Sequence, residues 1–386
     1  MKISNEDNGM MLLQNQRELA IRARWVWALG FTLFFVSSGV EAQSSKPEWD
    51  KIVAAATKEG KLVLWGPPGA NVRTAYAEGF QKAFPGIEVD YMGATGSKQG
   101  ARMLAERRAG IYSVDILTQG TTTMLQTLMP QNVLDPILPA LILPEVTNTK
   151  NWLQNKLEYS DDENKYNLVF ASYVKTPIAV NPKLVNLKEL HSYWDLLHPK
   201  WSGKIAMKDP TISGPGLATA TFWYAEPGLG PEFIRKLFGT QKIVRSDDDR
   251  QLLEWLVQGR YSIIIAPSEF TATGLRAKGL PVDLVGADHF KEGSYLTAGN
   301  GSVALINRAP HPNAAKVFLN WLLTREGQTL MTQALGYASR RLDVTREHLD
   351  PIVVPREGVK YQPNFKEEYV NMKGKILALL QEVLAR

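Results

Sequence analysis

Hydrophobic and polar positions along the chain alternate between the period of a helix and the period of a strand. Beyond Trp49 three helix-and-strand units follow one another: 49–59 with 61–65, 73–84 with 87–91, and 98–108 with 114–117. In the first unit Ile52, Val53 and Ala56 share one helical face, and Gly60 then ends the helix. This alternation predicts an α/β domain with a largely parallel sheet.

The middle of the chain predicts a second lobe. An apolar strand at 178–180 is broken by Asn181-Pro182, after which a new helix-and-strand series begins. An apolar strand at 301–307 and a helix over 312–323 then indicate a return to the first lobe. The predicted boundaries are 43–181 for the first part of lobe 1, 182–290 for lobe 2, and 291–386 for the return to lobe 1 with a C-terminal helix.

Within the second series, an acidic triplet begins an amphipathic helix. Asp247, Asp248 and Asp249 follow Ser246 at the start of the helical pattern 247–257. Acidic side chains at this position accept hydrogen bonds from unpaired backbone amides and interact favourably with the helix dipole. We therefore interpret the triplet as a helix cap, and not as a metal site.

The beginning of the chain has the pattern of a secretory signal peptide. Basic residues precede the apolar run 25–36, and Val40 and Ala42 place small residues before a cleavage position. The apolar run is shorter than the about 20 residues that span a bilayer. We predict that residues 1–42 are a cleaved signal peptide and that the mature chain is periplasmic; an uncleaved membrane anchor is the alternative.

Composition narrows the classes of function. The chain has no cysteine, which excludes disulfides, thiolate metal sites and a lipid-modified cysteine anchor. The net charge of +5 is modest for 386 residues, and basic residues are interleaved with acidic ones, so nucleic-acid binding is not expected. No nucleophile-elbow, phosphate-loop or paired-histidine motif occurs. We predict no enzymatic activity, no cofactor and no metal ligands, with a secreted hydrolase as the alternative from another class.

Several segments resemble the extracellular solute-binding proteins of the group that includes the ferric-iron-binding proteins. The similar segments, in the same order as in that family, are 54–64, 80–89, 104–116, 201–206 and 312–323. The resemblance implies an α/β, two-lobed type II periplasmic binding protein fold with a hinge and an interlobe cleft. It also implies that the chain, as a monomer, delivers a small-molecule solute to an ABC transporter permease in the inner membrane. A sensor that serves a receptor is a further alternative.

Loops after the predicted strands of lobe 1 are candidate ligand contacts. In open α/β sheets, ligands bind beyond the carboxyl ends of the strands, near helix N-termini. Small residues let the backbone approach a ligand, and hydroxyls donate to its oxygens, which favours a ligand of oxyanion character; helix capping is the alternative role. The candidates are Trp65, as a stacking surface, with Gly69, Thr95, Gly96, Ser97, Gln119, Gly120 and Thr121.

Lobe 2 supplies three further candidates. Thr211 and Ser213 lie in a loop that resembles the one before a cleft-facing helix of the family, and Glu269 follows a predicted strand at 261–266. Ferric-binding members of the family share an adjacent tyrosine pair, and the matching segment, 267–270, has one carboxylate and no phenol. A small organic or phosphorylated anion is therefore the predicted ligand, and ferric iron or an iron chelate is the alternative.

Overall fold

The structure, a computed structural model, describes residues 40–356, 358–359 and 361–385. The chain divides into two units, Met1–Lys51 and Ile52–Arg386, and the sheets and the site lie in the second unit. The predicted signal peptide lies outside the described residues except for its last three, which begin a helix. No described helix combines the length and the hydropathy that a bilayer crossing requires.

The helices begin and end where the sequence places breakers and caps. Gly60 adopts the left-handed conformation, with φ 68°, directly after the first helix. Pro215 and Pro312 each occupy a first helical position, where the missing N–H has no intrahelical partner to lose. The helices are α1 Val40–Glu59, α2 Ala70–Arg73, α3 Gly79–Ala83, α4 Gly96–Arg108, α5 Pro144–Thr147, α6 Pro215–Ala225, α7 Gly230–Thr240, α8 Asp249–Val257, α9 Glu269–Ala277, α10 Pro312–Leu323, α11 Arg325–Leu335 and α12 Glu367–Leu384.

The strands form three sheets. They are β1 Lys61–Gly66, β2 Glu88–Gly93, β3 Ile116–Gln119, β4 Leu134–Asp135, β5 Glu158–Tyr159, β6 Leu168–Val169, β7 Ala171–Val174, β8 Ile178–Val180, β9 Ile205–Lys208, β10 Val244–Ser246, β11 Ile263–Ile265, β12 Asp283–Leu284, β13 Tyr295–Thr297, β14 Ser302–Ile306, β15 Ala338–Ser339 and β16 Gln362–Pro363. The first sheet has the order β2-β1-β3-β14-β6-β5, with β4 paired to β14; the second has the order β10-β9-β11-β8-β12; and the third has the order β15-β7-β13-β16.

The second sheet is buried on both faces. Ile263 and Ile265 of β11 belong to one apolar cluster, whereas Ile264 between them belongs to the cluster on the opposite face. Side chains of a strand alternate between the two faces of its sheet, so a strand covered on both sides is apolar at every position. This explains the run of three isoleucines and confirms the buried strand that the sequence predicts there.

The prediction of a largely parallel sheet is wrong, because all three sheets are mixed. β2 and β3 run parallel to β1, but β14 pairs antiparallel with β3. In the second sheet β9 and β11 are parallel, and β8 is antiparallel to β11. Parallel neighbours need a crossover connection, usually a helix, whereas β8 and β14 each arrive directly from a strand of the third sheet.

Most of the predicted elements are confirmed, with shifted ends. The helix expected over 312–323 is α10, and the acidic triplet does cap α8, since the Asp248 carboxylate accepts the backbone N–H groups of Arg250 and Gln251. α1 extends further towards the N-terminus than the expected 49–59 and begins at Val40. The lobe boundaries stay a prediction.

The C-terminal helix α12 packs where the sequence pattern does not place it. Its buried residues Ile376, Leu379 and Leu380 join the apolar cluster that contains Ile263 of the second sheet. α12 also contacts α6, α7 and the π-helix Thr123–Leu128, which follows β3 of the first sheet. The segment assigned to the returning lobe 1 therefore ends in a helix that touches elements of both larger sheets.

Candidate ligand-binding site

A cavity of about 590 Å³ lies where loops of the first sheet, the third sheet and the start of α6 meet. Its lining is rich in hydroxyl groups and contains no carboxylate among the described residues. The segments that follow strands of the first sheet contribute Thr95, Gly96, Ser97, Gln119, Gly120, Thr121, Thr122, Thr123 and Thr127. The third sheet and its flanks contribute Tyr173, Lys175, Tyr295, Thr297, Gly299, Asn300, Tyr337, Asn364 and Phe365. The start of α6 contributes Ser213, Gly214, Pro215 and Ala218, and α12 contributes Lys373.

The first wall of the cavity is the N-terminus of α4. A buried pair of glutamines anchors it: Gln99 donates to the carbonyl oxygens of Gly66 and Met92 at 2.8 and 2.9 Å, and Gln119 donates to the Oε1 of Gln99 at 2.7 Å. The Thr95 side chain makes no capping hydrogen bond to α4. The amide donors of the first turn, and the positive end of the helix dipole, therefore remain available to a ligand.

The floor of the cavity is the third sheet. Tyr173 and Lys175 lie two residues apart at β7, and Tyr295 and Thr297 lie two apart on β13, so each pair points to the same face. β7 and β13 are antiparallel, with Thr297 opposite Tyr173. Tyr337, just before β15, stacks on Tyr173 with ring centroids 4.6 Å apart. The floor is thus an aromatic surface with polar edges.

The opposite wall is the start of α6. Ser213 and Gly214 precede the helix, and Pro215 and Ala218 lie in its first turn. An added Cβ at Gly216 would collide with the backbone carbonyl of Lys208, so the start of the helix is held tightly against the end of β9. A second helix N-terminus therefore faces the same space as α4, which concentrates backbone donors there.

One of the two lysines of the lining is neutralised by an internal partner. Lys175 is almost fully buried and forms an ion pair with Glu269 at 2.8 Å, and it also donates to the carbonyl oxygen of Pro267. The second carboxylate oxygen of Glu269 accepts the N–H and the hydroxyl of Thr176 at 2.9 and 3.0 Å. The charge of Lys175 is therefore balanced before any ligand arrives.

The other lysine, Lys373 of α12, forms no ion pair among the described residues. Its ammonium donates to the hydroxyl of Thr122, and burial lowers the pKa of the amine from the usual value to about 8. Burial also raises the pKa of Tyr337 to about 12, against the opposing effect of a backbone hydrogen bond from Asn300, and it raises the pKa values of Tyr173 and Tyr295. At neutral pH the phenols are protonated, and the cavity carries a net positive charge.

Most of the residues predicted as ligand contacts come together at this cavity. Those that line it are Thr95, Gly96, Ser97, Gln119, Gly120, Thr121 and Ser213. Four others do not line it. Trp65 is buried beside Met103 in the core of the first sheet, with the Arg102 guanidinium 5.1 Å from its ring centroid. Gly69 precedes α2, and Thr211 donates to the Asp209 carboxylate.

The fourth, Glu269, lies behind the lining, where it holds Lys175 and Thr176. Sequence reasoning missed the third-sheet residues and Lys373. The spacing of two residues between Tyr173 and Lys175, and between Tyr295 and Thr297, was a signal for the former, because it places an aromatic and a polar side chain on the same face of each strand. Lys373 offered no signal, since an isolated lysine on an amphipathic helix is most often solvated.

Comparisons with known proteins agree with this architecture. The family model of the bacterial extracellular solute-binding proteins matches residues 75–353. No curated protein matches the chain significantly.

Similar solved structures show the same fold at low identity. Iron-bound HitA from Pseudomonas aeruginosa is 19% identical, with a TM-score of 0.64, and the match covers 84% of this chain and 99% of HitA. Trichodesmium FutA, in complex with iron and citrate, is 18% identical, with a TM-score of 0.65 and the same coverage. AfuA from Actinobacillus pleuropneumoniae, with fructose-6-phosphate bound, is 16% identical, with a TM-score of 0.62, and again covers 84% and 99%.

The fold is that of the type II periplasmic binding proteins, as the sequence resemblance implied. The matching family consists of solute-binding proteins, and AfuA is a periplasmic binding protein. Because the family model spans most of the chain, the protein belongs to the bacterial extracellular solute-binding proteins.

Proposed function

We propose that this protein is the periplasmic binding component of an ABC importer, and that it carries a small organic anion in the cavity. The main support is the positive charge of the lining. The lining combines hydroxyl groups, two helix N-termini and the ammonium of Lys373, which has no ion-pair partner, and it contains no described carboxylate. Charge-assisted hydrogen bonds and helix N-termini both favour an oxyanion. A positively charged site without a counter-charge is stabilised most by an anionic ligand.

Binding proceeds in two steps. The ligand docks on the first wall, where most of the hydroxyl donors lie, among them Thr95 and Ser97. A hinge movement about the third sheet then brings Ser213 and the start of α6 over the ligand. The closed form is favoured only by the additional contacts that the ligand makes in it. The permease can therefore distinguish the loaded protein from the empty one by its closed form.

Ferric iron is the second candidate, and the three phenols of the floor are the observation that favours it. Phenolate oxygen is a hard donor that suits a hard cation. Tyr173, Tyr295 and Tyr337 all line the cavity, and HitA and FutA are iron-bound neighbours. The raised pKa values of the phenols and the charge of Lys373 oppose a trivalent cation. The anion is therefore the first candidate.

A binding role also fits the lining better than a catalytic one. The threonine and serine hydroxyls of the cavity have neither a histidine nor a carboxylate beside them among the described lining residues. Histidine and carboxylate are common activating bases of a hydroxyl nucleophile, and the Lys373 amine beside Thr122 is mostly protonated at neutral pH and donates to that hydroxyl. Export through the N-terminal signal peptide, a monomeric state and a permease in the inner membrane as partner complete the proposal.

Thermal unfolding of the ligand-free mature protein tests the proposal. The panel contains phosphate esters, phosphonates, carboxylates, amino acids and ferric citrate. A ligand at a hundredfold excess over its Kd stabilises the folded state by about 2.7 kcal/mol, which is a readily measured shift in Tm. Stabilisation by an organic anion that is lost in Ser97→Ala supports the proposal. Stabilisation by ferric species alone replaces the anion with iron and leaves the transport role.

A further inference from the structure

Lys373 differs from the other lysine of the lining and from the two cations that pair with Glu158 beside the third sheet. Lys175 pairs with Glu269 at 2.8 Å, and Arg340 pairs with Glu158 at 2.9 Å. Lys366 also reaches Glu158. Lys373 instead has a neutral partner, the hydroxyl of Thr122. Lys373 is half-buried, and an ammonium that is partly removed from water is costly unless its neighbours supply a counter-charge.

The surroundings of Lys373 match the needs of an oxyanion. Thr122 belongs to the loop after β3, and the neighbouring Thr121 and Thr123 line the same cavity. An added Cβ at Gly96 would collide with the hydroxyl of Thr123, so the first turn of α4 lies against this loop. Hydroxyl donors, the amides of a thirteen-residue helix and an ammonium therefore converge on one wall.

The size of the cavity indicates what accompanies the charge. A volume of about 590 Å³ falls in the range of pockets that hold whole organic molecules, and it exceeds what a bare inorganic ion fills. The stacked rings of Tyr173 and Tyr337 form part of the floor, and Phe365 lies at its edge. Such a surface packs against the face of a ring.

We infer that Lys373 and Thr122 form the anion subsite of the cavity, and that the ligand is a phosphate monoester of a ring-containing compound. The phosphate lies between Lys373 and the first turn of α4, and the ring lies on the tyrosines of the floor. This inference rests on the proposed function, because it names the ligand class of the same cavity. According to this inference, Lys373 is the residue by which the site distinguishes anionic ligands from uncharged ones.

Isothermal titration at pH 7 and low salt tests the subsite. The probes are phenyl phosphate, ribose 5-phosphate and glucose 6-phosphate, each beside its uncharged counterpart phenol, ribose or glucose, together with inorganic phosphate and benzoate. The variants are Lys373→Met, which keeps the length of the side chain, and Lys373→Arg, which keeps the charge. Lys375→Met, exposed two residues further along α12, is the matched control.

The expected result is binding of at least one monoester by the wild type, and a loss of about tenfold to a hundredfold in Lys373→Met. Lys373→Arg retains most of the affinity, and Lys375→Met retains all of it. The uncharged counterparts bind weakly and equally to every variant. Trinitrobenzenesulfonate labelling of Lys373, mapped by mass spectrometry, decreases when the monoester is present.

Three outcomes overturn the inference and separate it from the proposed function. Equal binding of a monoester by the wild type and Lys373→Met removes Lys373 from the subsite and leaves the proposed function intact. Binding of benzoate or inorganic phosphate in place of every monoester replaces the ligand class but keeps an anion in the cavity. If no anion binds and ferric citrate alone does, both the inference and the proposed anionic ligand fail.

Discussion

At the residue scale, the cavity concentrates its chemistry in a few ionisable side chains, and their pKa values give the first prediction. Burial lowers the pKa of Lys373 to about 8, whereas burial raises those of Tyr173, Tyr295 and Tyr337. Lys175 is held in its ion pair. A phosphate monoester already carries its second charge above its pKa of about 6. Lys373 is therefore the group that titrates between pH 7 and 10.

We expect the affinity for a monoester to be constant from pH 7 to about 8 and to fall above it, because the free protein then loses the proton that the anion requires. The affinity then decreases by up to about tenfold per pH unit. The decrease ends at the pKa of Lys373 in the complex, which the bound anion raises. Titration calorimetry between pH 7 and 10 measures this. As controls, the affinity of Lys373→Met should not change with pH, and Lys375→Met should show the same pH dependence as the wild type. A wild-type affinity that rises with pH contradicts the assignment of Lys373 to the anion subsite.

The buried pair of Lys175 and Glu269 gives a prediction about stability. Glu269→Ala leaves the ammonium of Lys175 without a counter-charge and two donors of Thr176 without an acceptor. Removing one partner of a buried ion pair costs about 3–5 kcal/mol of unfolding free energy. Urea denaturation measures it. Glu163→Gln, which breaks the exposed pair with Lys165, is the matched control and should leave the unfolding midpoint unchanged.

An unchanged midpoint in Glu269→Ala would contradict the stabilising role of this ion pair. The sequence predicted that Glu269 contacts the ligand directly. The present contacts instead give it a positioning role, because its carboxylate fixes Lys175 and β7 to the start of α9.

At the scale of elements, the entry of α4 into the cavity is set by close packing against the loop after β3. In Gly96→Ala the new methyl group collides with the Thr123 hydroxyl and lies 3.2 Å from the Oε1 of Gln119. The first turn must shift away from the anion subsite. We expect about a tenfold or greater loss of ligand affinity with little loss of stability.

A double-mutant cycle checks this packing argument. Thr123→Ala removes the colliding hydroxyl, so the Gly96→Ala, Thr123→Ala pair should bind more tightly than Gly96→Ala alone. Gly274→Ala on α9, where an added methyl meets open space, is the control for a glycine substitution inside a helix. Additive effects in the cycle would show that the two residues do not interact.

The elements also show what the sequence predicts and what it does not. The loops after β1, β2 and β3 were predictable, since apolar strands followed by glycine and hydroxyl residues mark the carboxyl edge of a sheet. Gly69 and Trp65 satisfied the same pattern but lie outside the lining, because the pattern fixes the edge of the sheet and not the direction of each side chain. β7 and β13 are short strands, whose pairing depends on residues far away in the chain.

At the scale of the whole molecule, the absence of cysteine from the sequence allows a direct test of closure. Ser97 and Ser213 are exposed on opposite walls of the cavity. In the double variant Ser97→Cys, Ser213→Cys, we expect a bound ligand to bring the thiols together and to raise the rate of disulfide formation several-fold, because a disulfide requires Cα atoms within about 7 Å. Gel mobility under mild oxidation measures the rate.

The single-cysteine variants control for intermolecular disulfides. A rate that is independent of the ligand would mean that the two walls do not move together on binding. The fold itself was predictable from the chain, because the order of helix-and-strand units and the resemblance to solute-binding proteins both pointed to it. The place of α12 was not, since an amphipathic helix shows that it has an apolar face without showing which core receives that face.

The third sheet, which forms the floor of the cavity, has a consequence for how the protein folds. Its four strands come from four distant parts of the chain, between Ala171 and Pro363, and two of its neighbours, β13 and β16, pair across a long intervening segment. Closing such long loops costs entropy before the contacts form, so pairings of this kind form late. Local units such as β1 with β2 can form first, whereas the pairing of β14 with β3 in the first sheet closes a still longer loop and also forms late. The ability to retain solute therefore arises in the final step of folding.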